Sequence, residues 1–286
     1  MKRLLFLLLI LGAACSSPKK TKQNLITVSV LPQKYFVEKI AGDLVEVQVL
    51  VPPGASPATY SLLPSQMKDL SDSRAWLRIG KIGFENAWHE KIQQSNPKLE
   101  IFDTSDSTQW IYGEEEVHGD HVHQHGVDPH NWMSPTEVVK IAELTFQALI
   151  DLFPEHAQAF DTNFKVFRSE IEQLDQELTV KFARLANRKF LIFHPALTYF
   201  ARDYDLVQLP MEVEGKEPSP KYMSELVKHS RKDSIRVVFI QKEFDLENAQ
   251  QLAKELDGEV VQIDPLSEHW EAQIREIADK IVAASE

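Results

Sequence analysis

The sequence predicts an α/β protein of two lobes, each built on a small parallel sheet, joined by one long rigid helix. Short Val- and Ile-rich runs alternate with longer mixed segments early and late in the chain, the rhythm that builds parallel sheets. Between them, from about Pro154 to Leu185, apolar residues recur every three or four positions: Phe160, Phe164, Phe167, Ile171, Leu174, Leu178, Phe182 and Leu185. At 286 residues and 43% apolar content, the chain is long enough for about two domains of ordinary size.

The first residues, MKRLLFLLLILGAAC, combine a basic start, an apolar run from Leu4 to Leu11 and three small residues before Cys15. This reads as a signal peptide over residues 1–15 ending at a lipidated Cys15, which places the mature chain on the periplasmic side of a bacterial membrane. The apolar run is too short to span a bilayer, so the membrane is touched only through the lipid. A cleaved signal with Cys15 lost or buried is the competing reading. Residues 16–24, polar and basic, form a tether.

The N-terminal lobe is expected over 25–153, with strands Ile26 to Leu31, Val45 to Val51, Ala75 to Gly80 and Leu99 to Phe102. Helices Gln33 to Ala41 and Ser65 to Ser73 fall between them, and Pro52, Pro53 and Gly54 mark a loop after the second strand. The linking helix takes 154–186, with Pro154 suited to a first turn. About 30 residues at roughly 1.5 Å each make a rod near 45 Å, enough to brace two lobes. A coiled-coil dimer competes for the same stripe, but large aromatics suit packing against lobes better than a narrow seam, so a monomer is expected. The C-terminal lobe, 187–286, has strands Lys189 to Phe193, Arg236 to Ile240 and Glu259 to Ile263, and helices Lys221 to Ser230, Leu246 to Leu256 and Glu268 to Ala284.

A formal net charge of −12 argues against nucleic acid or an anionic membrane surface as partner and is compatible with attracting cations. The single cysteine excludes an intramolecular disulfide, so stability must come from packing.

Five of the ten histidines lie between His118 and His130, behind an acidic run from Glu114 to Glu116. Neutral imidazole is a common metal ligand, and zinc is the first candidate. His118, His121, His123 and His125 fall in a His-rich loop over 114–127, read as a mobile collecting loop or, more plainly, as a solvated acidic loop. His130 differs, because in DPHNWMSP it sits in a shaped turn before a helix-like run. In open parallel sheets ligands bind beyond the carboxyl ends of the strands. His194 comes one residue after the strand ending at Phe193, and Asp264 one residue after the strand ending at Ile263. Both are followed by proline. Taken singly, His194 could be a hydrogen-bonded histidine and Asp264 a helix cap.

At this point the chain resembles the metal-specific solute-binding proteins of bacterial ABC transporters, a ZnuA/TroA-like family of zinc- and manganese-uptake receptors. The resemblance is carried by PPGASPATYSLLPSQ at 52–66, IGKIGFENAW at 79–88, the histidine-rich loop, VDPHNWMSP at 127–135, FHPALTYFARDYDLVQ at 193–208, EPSP at 217–220 and IDPLS at 263–267. It implies a cleft in which four loops each supply one ligand, with His130, His194 and Asp264 as metal ligands, Zn2+ as the transported ion and an inner-membrane permease as partner. Histidine at position 194, where manganese-type receptors carry glutamate, tilts the implied metal towards zinc.

One departure matters. The family's first ligand is a histidine, and Ala58 stands there in PPGASPATY. Zinc prefers four ligands, so water, Tyr60, Glu85 or a histidine from the loop is expected to fill the position. The alternatives are the same scaffold serving manganese or iron, or a variant with weakened metal binding. More distant is an exported zinc hydrolase with Glu85 or Glu212 as general base, against which stands the lack of an H-E-x-x-H helix.

Overall fold

A computed structural model describes residues 24–113, 115–118, 121–124, 126–212 and 218–285. Cys15, the signal peptide, nearly all of the tether and His125 lie outside them.

The first part of the chain runs β1 (Leu25–Val28), α1 (Leu31–Ala41), β2 (Glu46–Val49), α2 (Pro64–Ser71), β3 (Ala75–Arg78), α3 (Gly83–Ser95) and β4 (Glu100–Asp103). These strands form one parallel sheet in the order β2-β1-β3-β4. A small hairpin follows, β5 (Glu115–His118) and β6 (His121–Gln124), and then α4 (Pro135–Leu152) and α5 (Ala157–Phe182). The last part runs β7 (Lys189–Ile192), α6 (Thr198–Asp203), β8 (Val207–Pro210), α7 (Pro220–Lys232), β9 (Val237–Gln241), α8 (Glu247–Glu255), β10 (Glu259–Ile263) and α9 (Trp270–Ala283). Its sheet, also parallel, has the order β10-β9-β7-β8. Among the described residues, no helix is long and apolar enough to cross a membrane.

Local chemistry explains the helix starts. Ser134 accepts from the Glu137 backbone N–H and Pro135 fills the first turn of α4; Ser219 and Pro220 do the same for α7, with Tyr222 donating. The linking helix is shorter than expected. Residues 154–156 form a 3-10 turn and the α-helix proper has 26 residues, about 39 Å at the standard rise. Seven of its predicted apolar residues, Phe160, Phe164, Phe167, Ile171, Leu174, Leu178 and Phe182, are buried within this chain, against α1, α4 and α9. That corrects the coiled-coil alternative, because the stripe a second chain would need is already covered.

The lobes share more than this helix. One core cluster runs from Ile26 in the first sheet through Phe167 on α5 to Ile281 on α9. The C-terminal helix packs on β10 and also reaches the first lobe: Trp270 packs edge-on against Phe36 of α1, with ring centroids 5.4 Å apart. Trp270 Nε1 also donates to the Trp132 carbonyl at 2.6 Å, while Trp132 Nε1 donates to the Pro265 carbonyl at 2.9 Å. Arg202 reaches the buried Glu137 at 3.0 Å, and the Tyr199 hydroxyl donates to the Asp128 carbonyl at 2.8 Å. Buried aromatic anchors and satisfied polar contacts of this kind resist rigid-body opening.

Candidate metal centre

The carboxyl ends of both sheets converge on a cavity of about 190 Å3, lined by Ala58 and Gly83 from one side and by His130, His194, Glu243 and Phe244. Its walls are mostly apolar, which lowers the local dielectric and strengthens charge interactions inside.

His130 is held by the turn that precedes α4. Asp128 Oδ1 accepts from the His130 backbone N–H at 2.8 Å and lies 2.8 Å from His130 Nδ1. Burial pushes the Asp128 carboxyl up, but the charge and hydrogen bonds of His130, with help from Thr198, outweigh it and hold the carboxyl below its ordinary range. His194 follows β7 directly. Gln241, at the end of the neighbouring β9, accepts from the His194 backbone N–H at 3.4 Å and donates to its carbonyl at 2.6 Å, which fixes the chain there. Glu212 Oε2 lies 2.5 Å from His194 Nδ1.

The two imidazoles meet across the cleft, with ring centroids 5.1 Å apart and planes at 74°. Each has its Nδ1 engaged by a carboxylate, which leaves Nε2 of each as the nitrogen free for a cation. A carboxylate on the distal nitrogen fixes the tautomer of a ligating histidine and raises its basicity. The pair is therefore arranged as metal ligands usually are.

Asp264 does not join them. Its Oδ2 is 2.8 Å from Lys242 Nζ, and among the described residues no three imidazole, thiolate or carboxylate groups converge closely enough to hold a metal ion. Asp264 follows β10 as expected, and its neighbours Pro265 and Leu266 line the cavity.

Ala58 lines the cavity, and its loop is held against α3. Phe84 N donates to the Pro57 carbonyl at 3.0 Å, and a Cβ added at Gly83 would run into the Ala58 carbonyl. The structure does not bring Tyr60 or Glu85 into the vacated position, which corrects both expectations. The Tyr60 hydroxyl is spent on Gln66 Oε1 at 2.9 Å, with the ring against Phe84. Glu85 is fully buried beneath the ends of β1 and β3. It accepts from Ile79 N at 2.8 Å, from Gly80 N at 3.0 Å and from the Ser29 hydroxyl. Burial pushes its carboxyl up to about 7, against the opposing pull of Ser29 and Arg78. It is an anchor for two strand ends, and Gly80 beside it needs to be glycine, with φ of +111° and no room for a Cβ beside Ser105 and Trp110.

Within the stretch expected as a collecting loop, residues 115–118 and 121–124 pair as a hairpin. In the hairpin of β5 and β6, His118 pairs with His121 and Glu116 with His123.

Glu243 is a cavity residue that the sequence does not single out. It lies just past β9, lines the cavity and is partly buried. Burial raises its pKa, the charge of Asp264 adds to this, and Lys242 and His194 oppose it. The signal was present, because a strand was expected to end at Ile240 and its carboxyl end was as eligible as those at His194 and Asp264.

Two parallel-sheet lobes, a bracing helix and a cleft with paired, carboxylate-backed imidazoles define a bilobed metal-binding protein. The chain belongs to the family ZnuA, zinc-uptake complex component A, periplasmic, whose sequence profile matches residues 26–284. A solved structure of ZnuA superposes with a TM-score of 0.85 at 38% identity, covering 92% of this chain and 99% of the other. A zinc-bound ZnuA deletion mutant gives 0.83, also at 38% identity, over 92% and 98%. The zinc-binding lipoprotein AdcA of Streptococcus pneumoniae (strain R6) is 26% identical over 268 residues, which cover 88% of this chain and 52% of AdcA. This chain thus spans about half the length of AdcA. A candidate metal-binding protein of Chlamydia trachomatis serovar D is 28% identical over 275 residues, 93% of this chain and 94% of its own.

Proposed function

We propose that this chain is an extracytoplasmic receptor that captures Zn2+ in the cleft between its lobes and delivers it to an ABC permease. The observation that carries the reading is the meeting of His130 and His194, each with its Nδ1 on a carboxylate. Zinc prefers nitrogen donors to a greater degree than manganese, and relatives named for zinc support the choice.

In this reading Nε2 of His130 and of His194 bind the ion, and Asp264 exchanges Lys242 for the metal. His130 comes from the N-terminal half of the chain and the other two from the C-terminal half, so the ion cross-links the halves. A bound ion favours one arrangement of the loops, and the permease distinguishes it from the empty form. Closure is small, because α5, α9 and the tryptophan contacts already tie the lobes together. The hairpin histidines collect ions weakly near the cleft, and lipidation at Cys15 keeps the receptor at the membrane as a monomer.

The hydrolase alternative needs a base beside metal-bound water. Glu85 is engaged inside the N-terminal lobe and Glu212 is engaged by His194 Nδ1, so neither candidate is placed for that role.

Calorimetric titration of zinc into the unmodified protein and into His130→Ala tests the proposal. A tight phase lost in the variant is expected; no tight phase in the unmodified protein overturns the reading.

A further inference from the structure

We propose that Glu243 is a metal ligand of the cleft and supplies the coordination that Ala58 cannot. The proposal rests on the zinc-receptor reading and names a residue outside the ligand set that the sequence suggested.

Topology places Glu243 there. In the second sheet β9 lies between β10 and β7, all parallel, with Ile263 paired to Gln241 and Ile192 paired to Phe239. The residues that follow β9 therefore emerge between His194 at the end of β7 and Asp264 at the end of β10. Lys242 and Glu243 are those residues, and they behave differently. Lys242 is exposed and pairs with Asp264, whereas Glu243 is partly buried and lines the same cavity as Ala58, His130 and His194.

Its own backbone N–H and the charges of Lys242 and His194 only partly offset the burial of Glu243, and among the described residues no salt bridge completes the balance. Among the described residues no lysine or arginine forms an ion pair with Glu243, and Lys242 is occupied by Asp264. Withdrawing a carboxylate from water without a counter-ion is costly, and such groups in clefts are usually paired or bound to metal. The cavity that holds Glu243 offers no fixed cation, but it does offer two imidazoles whose free nitrogens point to a divalent ion as the missing charge. Glutamate also has the torsional freedom to turn its carboxylate towards an arriving ion.

With Glu243 included, His130, His194, Glu243 and Asp264 would make a site of two nitrogens and two carboxylates. Two carboxylates and two imidazoles balance one divalent cation and complete the four-coordinate preference of zinc. A carboxylate in place of a histidine also makes the site harder, so it discriminates less strongly against manganese than a three-histidine site does.

The test is competitive zinc titration of the full chain, using a chromophoric chelator, with Glu243→Gln, Ala58→His and the double variant. Glu243→Gln keeps shape and removes charge. Its thermal midpoint without metal reports whether the fold survives, and Glu243→Asp provides a charge-retaining variant. The expected result is a loss of about tenfold or more in zinc affinity for Glu243→Gln. Ala58→His should restore most of the loss in the double variant, and Glu243→Asp should lose less than Glu243→Gln. If His130→Ala removes zinc binding while Glu243→Gln stays within roughly twofold of the unmodified protein, the Glu243 assignment is wrong and the receptor reading stands. If the unmodified protein binds no zinc, both are wrong.

Discussion

Lys242 Nζ lies 2.8 Å from Asp264 Oδ2, so the carboxylate that follows β10 is already matched by a cation. On the proposed ligand set, an arriving metal ion has to displace that ammonium, which makes the pair a competitor of the metal at Asp264.

Replacing Lys242 by Met should therefore tighten zinc binding. The lysine side chain is 55% exposed, so water screens the pair and the gain is modest, about 0.5–1 kcal/mol or a few-fold in affinity. Competitive titration at two salt concentrations checks this. The difference from the unmodified protein should shrink at high salt, and weaker binding by Lys242→Met would show that the lysine helps to build the site.

Deleting residues 114–125 should leave the tight zinc phase in place and remove only weaker ones. Calorimetry resolves the two. Loss of the tight phase on deletion would mean that a hairpin histidine, rather than a cleft carboxylate, occupies the position beside Ala58.

Ala58→His should change zinc affinity little in the otherwise unmodified chain, because Glu243 already completes the proposed four-coordinate site, but it places a nitrogen donor beside the cavity. The same change should favour zinc over manganese, since it adds a nitrogen donor. Parallel titrations with both metals read the ratio, and an unchanged ratio contradicts the geometry described for this loop.

Glu85 makes a prediction about stability. Its folded pKa, pushed up to about 7, lies above the ordinary value of 4.5, so the folded state holds the proton more tightly than the unfolded chain. The contribution is full below the unfolded value and is lost as pH rises through about 7. Urea unfolding at pH 5 and pH 8 should show a decline in the unmodified protein that Glu85→Gln lacks, a difference of about 1–3 kcal/mol. Parallel pH profiles for the two would rule out titration of Glu85 in this range.

Most of this architecture was legible in the chain. The run Glu259 to Ile263 is the observed β10, and the aromatic stripe from Phe160 to Phe182 gave the linking helix, because burial on one face leaves a 3.6-residue period. The strand β8, Val207–Pro210, was missed: it is a sheet edge, short, partly exposed and ends in proline, so it lacks the apolar run that marks a central strand. The interlobe role of α9 was hidden as well, since periodicity says that Trp270 is buried but not against which lobe. At the site, His130 and His194, flagged by a turn and a strand end, come to lie side by side. Asp264 carries the same flag, yet its side chain is engaged by Lys242, a contact no spacing rule predicts. Tyr60 and Glu85 were candidates for the place beside Ala58, and hydrogen bonds to Gln66 and to the backbone at 79 and 80 turn their polar atoms elsewhere.

The most direct measurement is anomalous diffraction at the zinc absorption edge from crystals grown with one equivalent of zinc. The arrangement of His130 and His194 predicts a peak in the cleft bonded to Nε2 of both, at about 2.0–2.1 Å. A peak confined to the hairpin histidines, or bonded to Nδ1 of either cleft histidine, would contradict the account.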